Sequence, residues 1–132
     1  MKKAVVVEDY KIIADIWKVV LFEVGFEDVL IINQTDNSED SVVDFNPDII
    51  LMDVNVPGKL NGLDLTEVLL AKNKLLKVLM LTTHSDKCYV DRAFEIGARG
   101  YVTKNSPIIE LKTAISEILS GNSYVCKELL SA

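Results

Sequence analysis

Short apolar runs alternate five times with stretches of helical periodicity along this chain, and that alternation leaves few folds open. The runs are Val5–Val7, Asp28–Asn33, Ile49–Asp53, Val78–Thr82 and Arg99–Thr103. Runs this short, apolar at consecutive positions, read as parallel strands covered on both faces. Between them, Ile13, Ile16, Trp17, Val20, Leu21 and Val24 recur at helical spacing, and Gly25 ends the pattern as a C-terminal cap. A short helix of roughly Ser38–Phe45 is ended by Pro47. Further helices are expected over about Leu63–Lys74 and Lys87–Ile96. The last is capped by Ser106, has Pro107 in its first position, packs through Leu111, Ala114, Ile115 and Ile118, and stops at Gly121.

Five β–α units predict an α/β fold: a doubly wound, five-stranded parallel sheet in the flavodoxin-like order 2-1-3-4-5, with five helices. Residues 1–121 form the one domain. Residues 122–132 (NSYVCKELLSA) fall outside the pattern and are expected to be the start of a linker or a C-terminal tail. A length of 132 residues with 49% hydrophobic and 26% charged residues suits one soluble globular domain. The net charge of −6 argues against direct contact with nucleic acid. No apolar stretch approaches the ~20 residues that span a bilayer. The short run after Met1-Lys2-Lys3 closes on an acidic pair, unlike a signal peptide. Cys88 and Cys126 are isolated and lack metal-ligand spacing, so free thiols and a cytoplasmic location are expected.

Four of the runs end in polar residues that together could handle a phosphate. Val5–Val7 stops at Glu8-Asp9, Ile49–Met52 at Asp53, Val78–Leu81 at Thr82 and Gly100–Thr103 at Lys104. Ligands gather beyond the carboxyl ends of such strands, so three carboxylates, a hydroxyl and an ammonium would share one crevice. Two carboxylates ~4 Å apart repel by roughly 4 kcal/mol at an effective dielectric near 20. Three need a compensating cation, and Mg2+, which favours one or two carboxylates plus waters and phosphate, is the natural candidate. Three negative charges against Mg2+ and one ammonium sum to zero. One carboxylate is then free to act as a nucleophile toward phosphorus. Asp53 is the best candidate, because the paired acids suit the metal.

With VVVED, IILMDVNVPG, NGLDL, VLMLTTHSD and GARGYVTK in order and at nearly the right spacings, the sequence resembles the receiver domains of two-component response regulators over residues 3–120. The resemblance implies that Asp53 is the phosphoacceptor. It implies that Asp9 binds Mg2+ directly, Glu8 binds it through water, and Asn55 adds its backbone carbonyl. Thr82 and Tyr101 are similar to the family's switch hydroxyl and switch aromatic, and Lys104 to its lysine. Such a protein is a phospho-accepting switch rather than a turnover enzyme. Its partner is a sensor histidine kinase, its output face comprises the fourth helix, fifth strand and fifth helix, and that output is transcriptional. The loop Pro57–Gly62 is one residue longer than the common form, so Gly58–Asn61 receive no roles. Asn105 and Ser106 precede Pro107, as in the subfamily with a LuxR-type helix-turn-helix effector. The tail resembles the connector to that effector, so the chain is expected to end before it, and DNA would be met only through the absent domain. A homodimer formed on phosphorylation is a further expectation.

Each residue also has a plainer reading. Glu8-Asp9 and Asp53 could be turn residues, and Thr82 could be a β-favouring threonine beside Thr83. Tyr101 and Trp17 could be core aromatics, and His84 a solvated loop residue. The resemblance also suggests that Asn55, Thr83 and His84 tune dephosphorylation. Phe22 and Val19 fall off the core stripe of the first helix and suggest a contact surface. Two competing functions are a haloacid-dehalogenase-like phosphatase and a phosphate-independent docking receiver. The former needs an Asp-x-Asp pair on its first strand, whereas this chain has Asp53-Val54-Asn55 on the third.

Overall fold

The computed structural model describes residues 2–130. Met1, Ser131 and Ala132, which fall in the expected domain and tail, lie outside the described residues. The elements alternate as expected: β1 (Lys3–Val7), α1 (Lys11–Glu23), β2 (Asp28–Ile32), α2 (Glu39–Phe45), β3 (Ile49–Met52), α3 (Gly62–Lys72), β4 (Val78–Thr82), α4 (Lys87–Glu95), β5 (Gly100–Thr103) and α5 (Ile108–Leu119). All pairings are parallel, and the order β2-β1-β3-β4-β5 is the doubly wound one.

The consecutive apolar residues of each strand divide between two cores, because side chains alternate across a sheet. Ala4, Val6, Ile49, Leu51, Leu79 and Leu81 face α1 and α5, where they meet Trp17, Leu21, Leu111 and Ile115. Val5, Val7, Ile50, Met52, Val78 and Met80 face Val42, Leu65, Leu69 and Ala93 on the helices between. Burial on both faces is what made the runs apolar throughout.

The tail departs from expectation. Tyr124–Val125 form β6, parallel to β5 with Gly100 opposite Tyr124 and Tyr101 opposite Val125, and Lys127–Leu130 form a short α6. Among the described residues there are therefore six strands in the sheet and six helices. Strand β5 would otherwise expose an open edge. A two-residue strand has no periodicity to read. Its position is set by distant bonds, from Tyr124 N–H to Arg99 C=O at 3.0 Å and from Cys126 N–H to Tyr101 C=O at 3.1 Å.

Two smaller expectations shift. Pro107, not Ser106, is the N-cap of α5, and Ile108 is the first helical residue. Ser106 closes the turn after β5 instead, its N–H donating to Thr103 C=O at 3.0 Å. Ile16 was expected on the inward stripe of α1 but is 40% exposed. It lies with Ile12, Val19 and Phe22 on the outer side, while Trp17 is buried as expected.

Candidate functional site

The ladder hydrogen bonds continue past the ends of the central strands and carry the acids with them. Glu8 N–H donates to Ile32 C=O at 2.9 Å, and Asp53 N–H donates to Val7 C=O at 3.1 Å. Glu8 and Asp53 therefore leave neighbouring strands side by side. Lys104 is brought in from β5, where its N–H donates to Thr82 C=O at 2.9 Å. Gly62 shapes the far wall: a methyl group there would lie 1.8 Å from the Asp53 carbonyl oxygen. The Gly62 N–H donates to Val54 C=O at 2.9 Å and closes the loop. Asn61, which had no role from sequence, caps α3 by accepting the Asp64 N–H at 2.9 Å.

Lys104 Nζ sits between two acids, 2.5 Å from Glu8 Oε1 and 2.7 Å from Asp53 Oδ2. The side chains of Glu8, Asp53 and Lys104 are 1%, 6% and 16% exposed, so solvent screens them little. Oxygens of Glu8, Asp9 and Asp53 lie within 4.8 Å of one another, the spacing of a metal-holding cluster. Asp9 Oδ1 is buried without a hydrogen-bond partner. Asn55 follows on the loop, its N–H donating to Asp53 Oδ1 at 3.2 Å.

Charge bookkeeping explains the electrostatics. Burial pushes the Glu8 carboxyl above its ordinary 4.5, outweighing the Lys104 hydrogen bond and the Tyr10 N–H that lower it. Burial acts to lower Lys104, yet its bonds to Asp53 and Glu8 prevail and raise it above 10.5. Three acids against one ammonium leave two negative charges, and Asp9 of that cluster carries a buried oxygen without a hydrogen-bond partner. A small oxygen-seeking divalent ion matches that deficit, so these residues fit Mg2+.

Thr82 is fully buried at the end of β4. Tyr101 is fully buried on β5, and its hydroxyl donates to His84 C=O at 2.8 Å. Burial raises this phenol well above 10. His84 is not the solvated residue expected. It is half-buried, stacks on Tyr89 with ring centroids 4.5 Å apart, and has its Nε2 buried without a partner. A lone histidine in a loop carries no sequence signal for this. A cleft of about 800 Å³, lined in part by Lys2, Asp48, Lys77 and Lys112, lies at the opposite end of the sheet and contains none of Glu8, Asp9 and Asp53. Donor chemistry, rather than cavity size, locates the site.

Fold and site together define a doubly wound α/β module with an acidic, metal-competent crevice at the carboxyl edge of its sheet. The response regulator receiver domain family matches residues 4–116, and the chain belongs to that family. It is 32% identical over 122 residues to the transcriptional regulatory protein DegU of Brevibacillus brevis, covering 92% of this chain and 51% of that protein. It is 30% identical to the response regulator GacA of Pseudomonas aeruginosa, covering 98% of this chain and 60% of the relative. The chain thus spans half to three-fifths of those relatives' length. Among solved structures, a LuxR-family two-component response regulator from Aurantimonas sp. SI85-9A1 superposes with a TM-score of 0.90 at 27% identity, covering 98% of this chain and 92% of that one. Receiver domains are signalling switches rather than turnover enzymes. Among the described residues no helix is long and apolar enough to cross a membrane.

Proposed function

We propose that this chain is a phosphorylation-activated switch that accepts a phosphoryl group on Asp53 from the phosphohistidine of a sensor kinase. One observation carries the reading: Lys104 Nζ bridges Glu8 and Asp53 while an unpartnered Asp9 oxygen lies beside them. Mg2+ would be held by Glu8, Asp9, Asp53 and the Asn55 carbonyl, and when bound supplies neutralisation of charge on the transferring group. A carboxylate oxygen of Asp53 attacks phosphorus, the new O–P bond forms, the P–N bond to the donor imidazole breaks, and the imidazole nitrogen keeps the electron pair. Lys104 Nζ, already at the Asp53 carboxylate, moves to a phosphoryl oxygen, and the Thr82 hydroxyl donates to another. Positioning and charge do most of the catalytic work in such transfers.

The response is a population shift in the Thr82–Tyr101 pair, expressed on the face of α4, β5 and α5. Because β6 pairs with β5, that face also carries residues 124–130. Residues 1–121 act as the receiver, and 122–132 lead toward an effector through which DNA would be contacted. A histidine kinase in the cytoplasm is the expected donor, and homodimer formation a consequence of phosphorylation. The exposed apolar side chains of Ile12, Ile16, Val19 and Phe22 on α1 support a protein-contact surface there. Asn55 is no general acid, which disfavours a haloacid-dehalogenase-like phosphatase.

The test is intact-mass measurement after incubation with acetyl phosphate and Mg2+. One phosphoryl group is expected on the wild type, none on Asp53→Asn, and none in excess EDTA. An unmodified wild type, or a phosphorylated Asp53→Asn, overturns the reading.

A further inference from the structure

The loop between Asp53 and α3 is held by residues outside it. Thr35, in the connection after β2, is 1% exposed. Its Oγ1 donates to Leu60 C=O at 2.7 Å, with Pro57 C=O at 3.3 Å, and its N–H donates to Pro57 C=O at 2.8 Å. Its neighbour Asp36 accepts the Lys59 N–H on Oδ1 at 2.9 Å. Gly58 lies between these bonds with φ +128°, and a methyl group there would sit 2.1 Å from Thr35 Oγ1. The loop is therefore fastened twice, at its base through Gly62 and Val54 and at its tip to Thr35 and Asp36. Asn55 lies between the fastenings, two residues before Pro57.

We propose that Thr35 and its neighbour Asp36 are positioning residues that fix the loop presenting the Asn55 carbonyl and so set the affinity of the site for Mg2+. This rests on the reading of Asn55 and the three acids as the metal's ligands. The physical reason is the narrow tolerance of Mg2+, which demands near-octahedral oxygens at about 2.0–2.1 Å. Each tether lost from the tip widens the range over which the Asn55 carbonyl moves against that tolerance. Valine fills the space of threonine but leaves the Leu60 carbonyl without its donor.

Mg2+ alone is titrated calorimetrically into metal-free wild type, Thr35→Val and Thr35→Ser. Thr35→Val is expected to weaken binding roughly three- to tenfold, near the low end for partners of metal ligands. Thr35→Ser keeps the hydroxyl and should retain wild-type affinity. At saturating Mg2+, phosphorylation of Thr35→Val by acetyl phosphate should return to within about twofold of wild type, a loss of affinity rather than of rate. Amide exchange at Lys59 in metal-free Thr35→Val should quicken while β1 and β3 stay protected.

Wild-type affinity in Thr35→Val overturns the proposal, as does an equal loss in Thr35→Ser. Should Thr35→Val fail to fold, the exposed Asp36 decides. Asp36→Ala should weaken Mg2+ binding and Asp36→Asn, which keeps the acceptor, should not; any other pattern overturns the proposal. The wild-type titration stands apart from these variants, and no Mg2+ uptake there overturns the reading of the site itself.

Discussion

Glu8 at the end of β1 and Glu110 in the first turn of α5 are both buried acids, 1% and 9% exposed, in opposite situations. Oε2 of Glu110 accepts from the Tyr124 hydroxyl at 2.8 Å and the Lys127 N–H at 2.7 Å. Those donors are neutral and belong to the segment that Glu110 holds down. The Tyr124 phenol is pushed up to about 12, by burial and then by this bond. Glu8 shares one ammonium with Asp53 and has Asp9 beside it, so acceptors outnumber donors. A buried carboxylate whose lone pairs are met is a lock. One short of positive charge is a receptor for a cation, and it makes the metal-free fold less stable than it could be.

Lys104→Met should give the largest effect. It leaves Glu8 and Asp53 facing each other without their cation and should cost about 3 kcal/mol in EDTA, read from urea unfolding. Saturating Mg2+ should restore much of that, because it binds only the folded state. A variant as stable as wild type in EDTA would break the contrast. Glu110→Ala comes next. Two part-buried donors lose their acceptor, at a cost of about 2 kcal/mol. Cys126, fully buried within this segment, should then react with a thiol reagent, while exposed Cys88 reacts at its unchanged rate. Phosphoryl uptake should not change.

A pH series sharpens the receptor side. Because the folded-state Glu8 value lies above 4.5, the native state keeps a proton that the unfolded chain has lost. The Glu8 contribution is full below 4.5 and is lost as pH rises through the raised value, so metal-free stability should fall across that window. Glu8→Gln should flatten the fall; an unchanged slope would assign it to other groups. Thr103→Val should have the smallest effect. It removes the 2.8 Å hydrogen bond to Glu128 and should cost about 1 kcal/mol by urea unfolding. A loss larger than that of Glu110→Ala would mean that Thr103, not Glu110, holds the tail.

Legibility followed the range of the interactions. Strands β1, β3 and β4 were readable because burial on both faces leaves a continuous apolar run, as in the IILM of Ile49–Met52, while the half-buried edge strand β2 was legible from its apolar VLII alone. The acids were readable because strand direction places Glu8, Asp9 and Asp53 at one edge once the order is granted. Strand β6 was not, since Tyr124 and Val125 carry no period and owe their conformation to Arg99 and Tyr101. Ile16 fits the helical spacing yet falls outside the packed stripe, because α5 and the sheet decide which arc of α1 is covered.

The chain's own pattern set the parallel sheet and the meeting of Glu8, Asp9, Asp53 and Lys104. These follow from local periodicity and from side-chain type at strand ends. The three-dimensional fold was needed to show that the tail completes the sheet, that Glu110 clamps it, that Thr35 fastens the loop after Asp53 and that the His84 carbonyl accepts the Tyr101 hydroxyl. Each depends on a hydrogen bond between residues 14 or more positions apart. Contacts over such separations leave no periodic trace in the chain, because their energy is realised only when the sheet brings the partners together.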